Sequence, residues 1–195
     1  MTKVKVCGLM TAADIAIVND VHPDFAGFIL AGGRHHIDDQ TLAALTKQLA
    51  QDITAVAVVV DPDVPHLIAL HQAGYIQAVQ LHHVSPASTI AALQAAGLLV
   101  IARINEATPQ TPADFALLDA GDGSGQTLPW DQLPHVAQPL MLAGGLDGHN
   151  VQAAIQAVHP QIVDASSRLE TAGAKDRVKV AAFVANARNH TKENN

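Results

Sequence analysis

The strongest constraint in this sequence is a rhythm. Short β-rich apolar runs alternate with longer stretches of helical periodicity, and nearly every run ends in Gly, Asp, His or Pro. The runs are Val4–Cys7, Phe25–Leu30, Thr54–Val60, Ala78–Leu81, Leu98–Ile104, Phe115–Asp119, Pro139–Leu142 and Ile162–Asp164, eight in all. Helical patterns fill Ala12–Val21, Asp38–Leu49, Val64–Gln72, Pro86–Ala95, Gly148–Val158 and Lys175–Arg188, several opened by a capping Thr, Asp or Asn. A run as continuously apolar as AVAVVV at Ala55–Val60 needs cover on both faces, the condition of a parallel strand in an α/β protein. Eight such strands predict one closed α/β barrel of the (β/α)8, or TIM-barrel, class. A doubly wound open sheet is the alternative, but the GxGxxG turn of a dinucleotide fold is absent after the first strand.

The chain has 195 residues against about 250 for a typical barrel, so its loops must be short. No linker or composition break divides it, which predicts a single domain over residues 1–195 with a polar, frayed tail at 189–195. Only 15% of residues are charged, and the net charge is −7 with no Lys/Arg cluster. A nucleic-acid partner needs a basic stripe to replace phosphate counterions, so none is expected. No apolar run reaches the roughly 18 residues that span a bilayer. MTKVKVCGLM runs straight into a strand without a signal-peptide pattern, so no membrane partner and a cytoplasmic location are expected.

In a barrel the chemistry sits where the strands end. The residues there are Cys7-Gly8 after the first strand, Arg34-His35 after the second, His82 after the fourth, Arg103 on the fifth and Asp119 after the sixth. Gly144-Gly145 follow the seventh, and Asp164 with Ser166-Ser167 the eighth. Late-strand glycines and a Ser pair can aim backbone N–H groups at one anion, the usual barrel phosphate site. The bland reading is a tight turn at AGGL and a helix cap at DASS, and the position of both on consecutive late strands tips the balance to phosphate.

Cys7 is the only cysteine, so it makes no internal disulfide and no CxxC pair; it is a buried packing residue or a reactive thiol. Without the barrel frame Asp119 would read as a turn residue before Ala120-Gly121. The GDGSG segment at residues 121–125 is a mobile cover over the site or a plain loop. Among eleven histidines, the pairs His35-His36 and His82-His83 would face opposite ways in an extended chain, and no HExxH or CxxC accompanies them. No metal is expected. His82 is expected to line the pocket.

Seven strings tie these positions together: KVCGL at Lys5–Leu9, GFIL at Gly27–Leu30, AVQLH at Ala78–His82, LLDAGDGSGQTLPW at Leu117–Trp130, LAGGL at Leu142–Leu146, VDASSRLE at Val163–Glu170 and GAKDRVKV at Gly173–Val180. In order and spacing, from Lys3 to about Ala187, the chain resembles the phosphoribosylanthranilate isomerase family. The resemblance implies an Amadori rearrangement of N-(5′-phosphoribosyl)anthranilate in tryptophan biosynthesis, without a cofactor, on a small phosphorylated substrate. It implies Cys7 as general base and Asp119 as general acid. The acid protonates the furanose ring oxygen to open it to a Schiff base, the base removes the C2′ proton to give an enolamine, and tautomerisation gives the 1-deoxyribulose 5-phosphate. Gly144, Gly145, Ser166 and Ser167 would hold the phosphate, with Asp164 on the ribose or the anthranilate amine. Lys5, Gln80, His82 and Arg103, with Arg34 or His35, complete the expected substrate contacts. A cysteine starts near a pKa of about 8.5, so a modest downward shift, with Lys5 two residues upstream as the positive charge, would suit a general base.

The chain departs from the family after the second strand, where GGRHHI at Gly32–Ile37 replaces a Ser-x-Arg segment. Counting back from Ile37 puts His35 in the arginine's place, so either Arg34 swings in or His35 acts with a weaker, pH-dependent charge. Arg168 stands for the usual glycine after the Ser pair, and Gln126 for the usual lysine after the glycine loop. A phosphate-sugar binding barrel without turnover is the competing reading; retention of both Cys7 and Asp119 favours the enzyme. A monomer or a homodimer is expected.

Overall fold

Parallel strands in sequence order, β1 (Lys3–Cys7), β2 (Phe25–Ile29), β3 (Thr54–Val59), β4 (Ala78–Leu81), β5 (Leu99–Arg103), β6 (Phe115–Asp119), β7 (Leu140–Ala143) and β8 (Ile162–Ala165), close into a barrel. The computed structural model describes residues 1–105, 108–119, 130, 136 and 138–189. β8 closes on β1 in a register that sets Lys5 beside Asp164, and on the other side β1 sets Cys7 beside Gly27 of β2.

Helices α1 (Ala12–Val21), α2 (Asp39–Thr46), α3 (Val64–Gln72), α4 (Ala87–Ala95), α5 (Val151–Val158) and α6 (Arg177–Asn189) cover the barrel. Their starts follow from capping chemistry. Thr11 and Asp14 form a reciprocal capping box on α1, and the carboxylates of Asp38 and Asp63 accept from the first turns of α2 and α3. Two of the expected helices start two or more residues later than the sequence pattern. Asp147 and Asn150 hold residues 147–150 in a side-chain-bonded turn, Asp147 Oδ1 accepting from the amides of His149 (2.8 Å) and Asn150 (3.1 Å), so α5 begins at Val151 rather than Gly148. The last helix begins at Arg177 rather than Lys175, because β9 (Glu170–Thr171) and β10 (Ala174–Lys175) form a small antiparallel hairpin. Its turn places Ala172 (φ 52°) and Gly173 (φ 83°) in the left-handed region, the backbone of a tight two-residue hairpin. The GDGSG segment and Gln126 lie outside the described residues, as does the tail after Asn189.

Strand alternation divides the core in two. Outward residues pack under the helices around Val6, Phe28, Ala57, Leu81 and Phe183. Inward residues Phe25, Val56, Ala78, Ile101, Leu117, Met141 and Ile162 fill the lower barrel. The same parity carries Lys5, Cys7, Gln80, Asp119 and Asp164 to the inner face one step higher, at the C-terminal rim. Among the described residues no helix is long and apolar enough to cross a membrane.

Candidate active site

The upper barrel layer is polar and buried. Lys5 is fully buried, and its Nζ lies 3.0 Å from Asp164 Oδ2 on the adjoining strand. Cys7, 5% exposed, stands two residues on along the same face. Space for both side chains exists because position 27 is glycine. A Cβ there would lie 2.7 Å from Cys7 Sγ, 3.0 Å from Lys5 Nζ and 3.1 Å from Cys7 Cα.

The three buried groups set one another's protonation. Burial would lower the Lys5 ammonium, but Asp164 and Cys7 outweigh it and hold its pKa above the ordinary value. Burial pushes the Cys7 thiol up; the Lys5 charge opposes that without reversing it. Asp164 is likewise raised by burial against the pull of Lys5. The downward shift that would suit a general base is therefore not the one that burial favours for Cys7 in the free protein. Lys5 supplies the positive charge as expected, yet the desolvation of a thiol at a closed barrel floor is the larger effect. Full burial also places Lys5 beneath the floor, outside the set of residues that line the pocket.

Above this floor opens a cavity of about 690 Å³. Cys7, Asp164 and Gln80 lie at its base, with His82 and Asp119 on one side. Asp119 ends β6 beside Ala143 of β7, the strand that leads into Gly144-Gly145. Its Oδ2 is 3.9 Å from His82 Nε2, and burial lowers the His82 pKa despite the attraction of Asp119, leaving a neutral ring at pH 7. Gln80 Oε1, His82 Nδ1 and Asp164 Oδ1 are buried and have no hydrogen-bond partner among the described residues. Buried polar atoms of this kind are costly unless a ligand satisfies them.

The expected phosphate residues follow β7 and β8, the two strands that stand between β6 with Asp119 and β1 with Cys7. Gly144 (φ 95°) and Gly145 (φ 64°) form a left-handed turn, and Ser166 and Ser167 follow β8; all four line the cavity. Arg168 lines it too, its Nη1 lying 3.5 Å from Asp147 Oδ2. Arg34 and His35 both face the cavity, and both are tied to Glu170. Arg34 Nη2 donates to Oε2 at 2.8 Å, and His35 Nε2 lies 2.7 Å from Oε1. His35 is desolvated enough that its pKa falls below the ordinary value, so it carries little charge at neutral pH. Arg34 is the permanent cation at this edge and the more exposed of the two, at 59% against 12% of the side chain. Arg103 reaches the site from the side of His82, whose protonation its charge opposes. It lines a neighbouring hollow of about 570 Å³ with His82, His83, Val84 and Asn105.

Three residues that shape the site escaped the sequence reading. Gly27 could have been found from strand parity, since it lies beside Cys7 once the barrel register is fixed. Glu170 and Lys175 gave no periodic signal, because each sits in a strand of two residues. Among the described residues no cluster of three or more His, Cys, Asp or Glu side chains is arranged to hold a metal.

A closed barrel whose rim gathers a thiol, a carboxyl and a glycine–serine turn around one cavity has the architecture of an enzyme of the (β/α)8 class. Residues 4–186 match the family described as N-(5'phosphoribosyl)anthranilate (PRA) isomerase. The N-(5'-phosphoribosyl)anthranilate isomerase of Lacticaseibacillus casei is 44% identical over 190 residues, covering 96% of each chain. That of Lactiplantibacillus plantarum is 42% identical over 192 residues, covering 96% of this chain and 92% of the other. Among solved structures, TrpF from Jonesia denitrificans superposes with a TM-score of 0.86 at 30% identity, covering 98% of this chain and 99% of that one. A phosphoribosyl anthranilate isomerase in complex with reduced 1-(o-carboxyphenylamino)-1-deoxyribulose 5-phosphate superposes with a TM-score of 0.83 at 26% identity, covering 97% and 100%. The chain belongs to the N-(5′-phosphoribosyl)anthranilate isomerase family.

Proposed function

We propose that this chain converts N-(5′-phosphoribosyl)anthranilate to 1-(2-carboxyphenylamino)-1-deoxyribulose 5-phosphate, a step of tryptophan biosynthesis, by general acid–base catalysis with Cys7 and Asp119. The observation that carries the reading is that both groups line one cavity together with the Gly144-Gly145 and Ser166-Ser167 turns, which follow the two strands between them. A sugar phosphate anchored by those turns has its furanose over the barrel axis. Its ring oxygen then meets the Asp119 carboxyl, which donates the proton that opens the ring, and its C2′ proton meets Cys7.

The buried layer below serves the second half-step. A thiolate at Cys7 is stabilised by the Lys5 ammonium, which cannot leave because Asp164 holds it at 3.0 Å. A base whose pKa is raised by burial accepts a proton more strongly once ionised, at the cost of a smaller ionised fraction. Asp164 Oδ1 and Gln80 Oε1, which have no hydrogen-bond partner among the described residues, are acceptors at the cavity floor suited to the ribose hydroxyls or the anilino N–H. Arg34 supplies a cation at the rim for the substrate's anionic groups. Every group in this scheme comes from one chain, so a monomer or a homodimer, working in the cytoplasm on a small-molecule substrate, satisfies it.

The test is to mix freshly prepared N-(5′-phosphoribosyl)anthranilate with the protein and follow the fall in anthranilate fluorescence, with chromatographic identification of the product. Turnover to the ribulose phosphate is expected. Substrate binding by folded protein without turnover would leave a phosphate-sugar binding barrel instead.

A further inference from the structure

Outside the cavity wall, one buried carboxylate holds together two loops that the sequence places far apart. Glu170 is 5% exposed at its side chain, and its Oε1 lies 2.7 Å from both His35 Nε2 and Lys175 Nζ while Oε2 accepts from Arg34 Nη2 at 2.8 Å. Lys175 also donates to the Ser166 carbonyl at 3.2 Å, on the turn assigned to phosphate. The hairpin fixes this geometry, because Glu170 and Lys175 are register partners across β9 and β10. Lys179 Nζ pins the Glu170 carbonyl from α6 at 2.6 Å.

A third loop meets the same cluster. Gly8, with φ +75°, follows Cys7, and a Cβ there would lie 2.9 Å from Ser166 Oγ and 3.3 Å from His35 Cγ. The loops after β1, β2 and β8 therefore touch at one point, with Glu170 binding the second to the third. The charges at this point also favour an anion. Arg34 and Lys175 are two cations against one carboxylate, and desolvation keeps His35 largely neutral, so the cluster holds a net positive charge next to Ser166.

We propose that Glu170 is a positioning residue for the phosphate end of the pocket: through Arg34, His35 and Lys175 it fixes the β2 loop against the β8 turn and so sets affinity for the phosphoryl group. Glu170 lies outside the cavity lining and acts through residues that line it. The inference rests on the isomerase reading, but phosphate affinity can be measured without turnover.

The experiment titrates the full-length protein with inorganic phosphate by calorimetry and measures kcat and KM, for wild type, Glu170→Gln and Glu170→Asp. Glu170→Gln keeps the side-chain shape and removes the charge. It is expected to weaken phosphate binding and raise KM, each by about tenfold, the lower end for losing charge-assisted hydrogen bonds, with kcat changed by less than about threefold. Glu170→Asp, which keeps the charge, should recover part of the loss. If Glu170→Gln fails to fold, the double variant Glu170→Gln/Lys175→Met, which leaves no buried charge unpaired, is expected to show the same loss of phosphate affinity. A variant with reduced thermal stability but wild-type phosphate Kd and KM, or one that loses kcat alone, would overturn the proposal. Wild-type protein that binds phosphate but does not turn over the substrate sinks the isomerase reading while the titrations still decide the role of Glu170. Wild-type protein that binds no phosphate overturns both.

Discussion

Replacing Gly27 by alanine puts a single methyl group into the most crowded point of the site. The new carbon would sit 2.7 Å from Cys7 Sγ and 3.1 Å from Cys7 Cα, against about 3.5–4.0 Å for ordinary carbon contacts. The shortfall at sulfur is thus about 1 Å. The thiol cannot rotate freely away, because Lys5 Nζ would be 3.0 Å from the same methyl and is itself held by Asp164. The clash with Cys7 Cα is with backbone, inside a barrel whose strands are bonded on both sides. Overpacking of a rigid core costs about 1–3 kcal/mol, and this site belongs at the upper end. For a domain of this size each kcal/mol lowers Tm by about 2–4 °C, so Gly27→Ala should melt about 6–12 °C below wild type by circular dichroism. A displacement of the thiol near 1 Å should reduce kcat by about a hundredfold in the fluorescence assay. A Tm within about 2 °C of wild type together with kcat within about threefold would refute this packing and the placement of Cys7 against Gly27.

Two further perturbations probe the buried layer. Lys5→Met leaves Asp164 buried without its partner and should lose about 3–5 kcal/mol in chemical denaturation, while Lys5→Met/Asp164→Asn should recover most of that loss; strictly additive effects would show that the pair is not coupled. In the free protein, iodoacetamide labelling of Cys7 should rise with pH to a midpoint above the ordinary thiol value of about 8.5, because burial favours the neutral form. The sign for stability follows the same way: a thiol whose folded pKa is raised contributes its stability below the unfolded value and loses it as pH rises through the folded one. A labelling midpoint below the ordinary value would mean that Lys5 outweighs desolvation.

Much of the candidate site is legible in the sequence, and the reason is the period of the strand. Alternation alone places Lys5 and Cys7 on one face, and the same parity aims Asp119 and Asp164 inward once the strands are known to close. The apolar runs were legible because a strand covered on both faces has no polar side to blur its ends. The pKa of Cys7 was not, since its direction depends on how completely the barrel floor excludes water, a property of eight strands together. Neither was the partner of Arg34 and His35. A one-residue ambiguity in GGRHHI could not be resolved locally when both side chains are fixed by Glu170, more than a hundred positions away. Arg103 ends its strand with inward parity, yet it lines the hollow next to the main cavity, because rim position alone does not say which side of His82 a long side chain occupies.

The most direct measurement is the single-turnover rate of N-(5′-phosphoribosyl)anthranilate isomerisation by wild type, Cys7→Ser and Asp119→Asn, followed by loss of anthranilate fluorescence. With base and acid assigned correctly, wild type turns over, and each variant, folded and still binding inorganic phosphate, falls by about 10²–10⁴. Near-wild-type rates from either variant would contradict the assignment of proton transfer to Cys7 and Asp119.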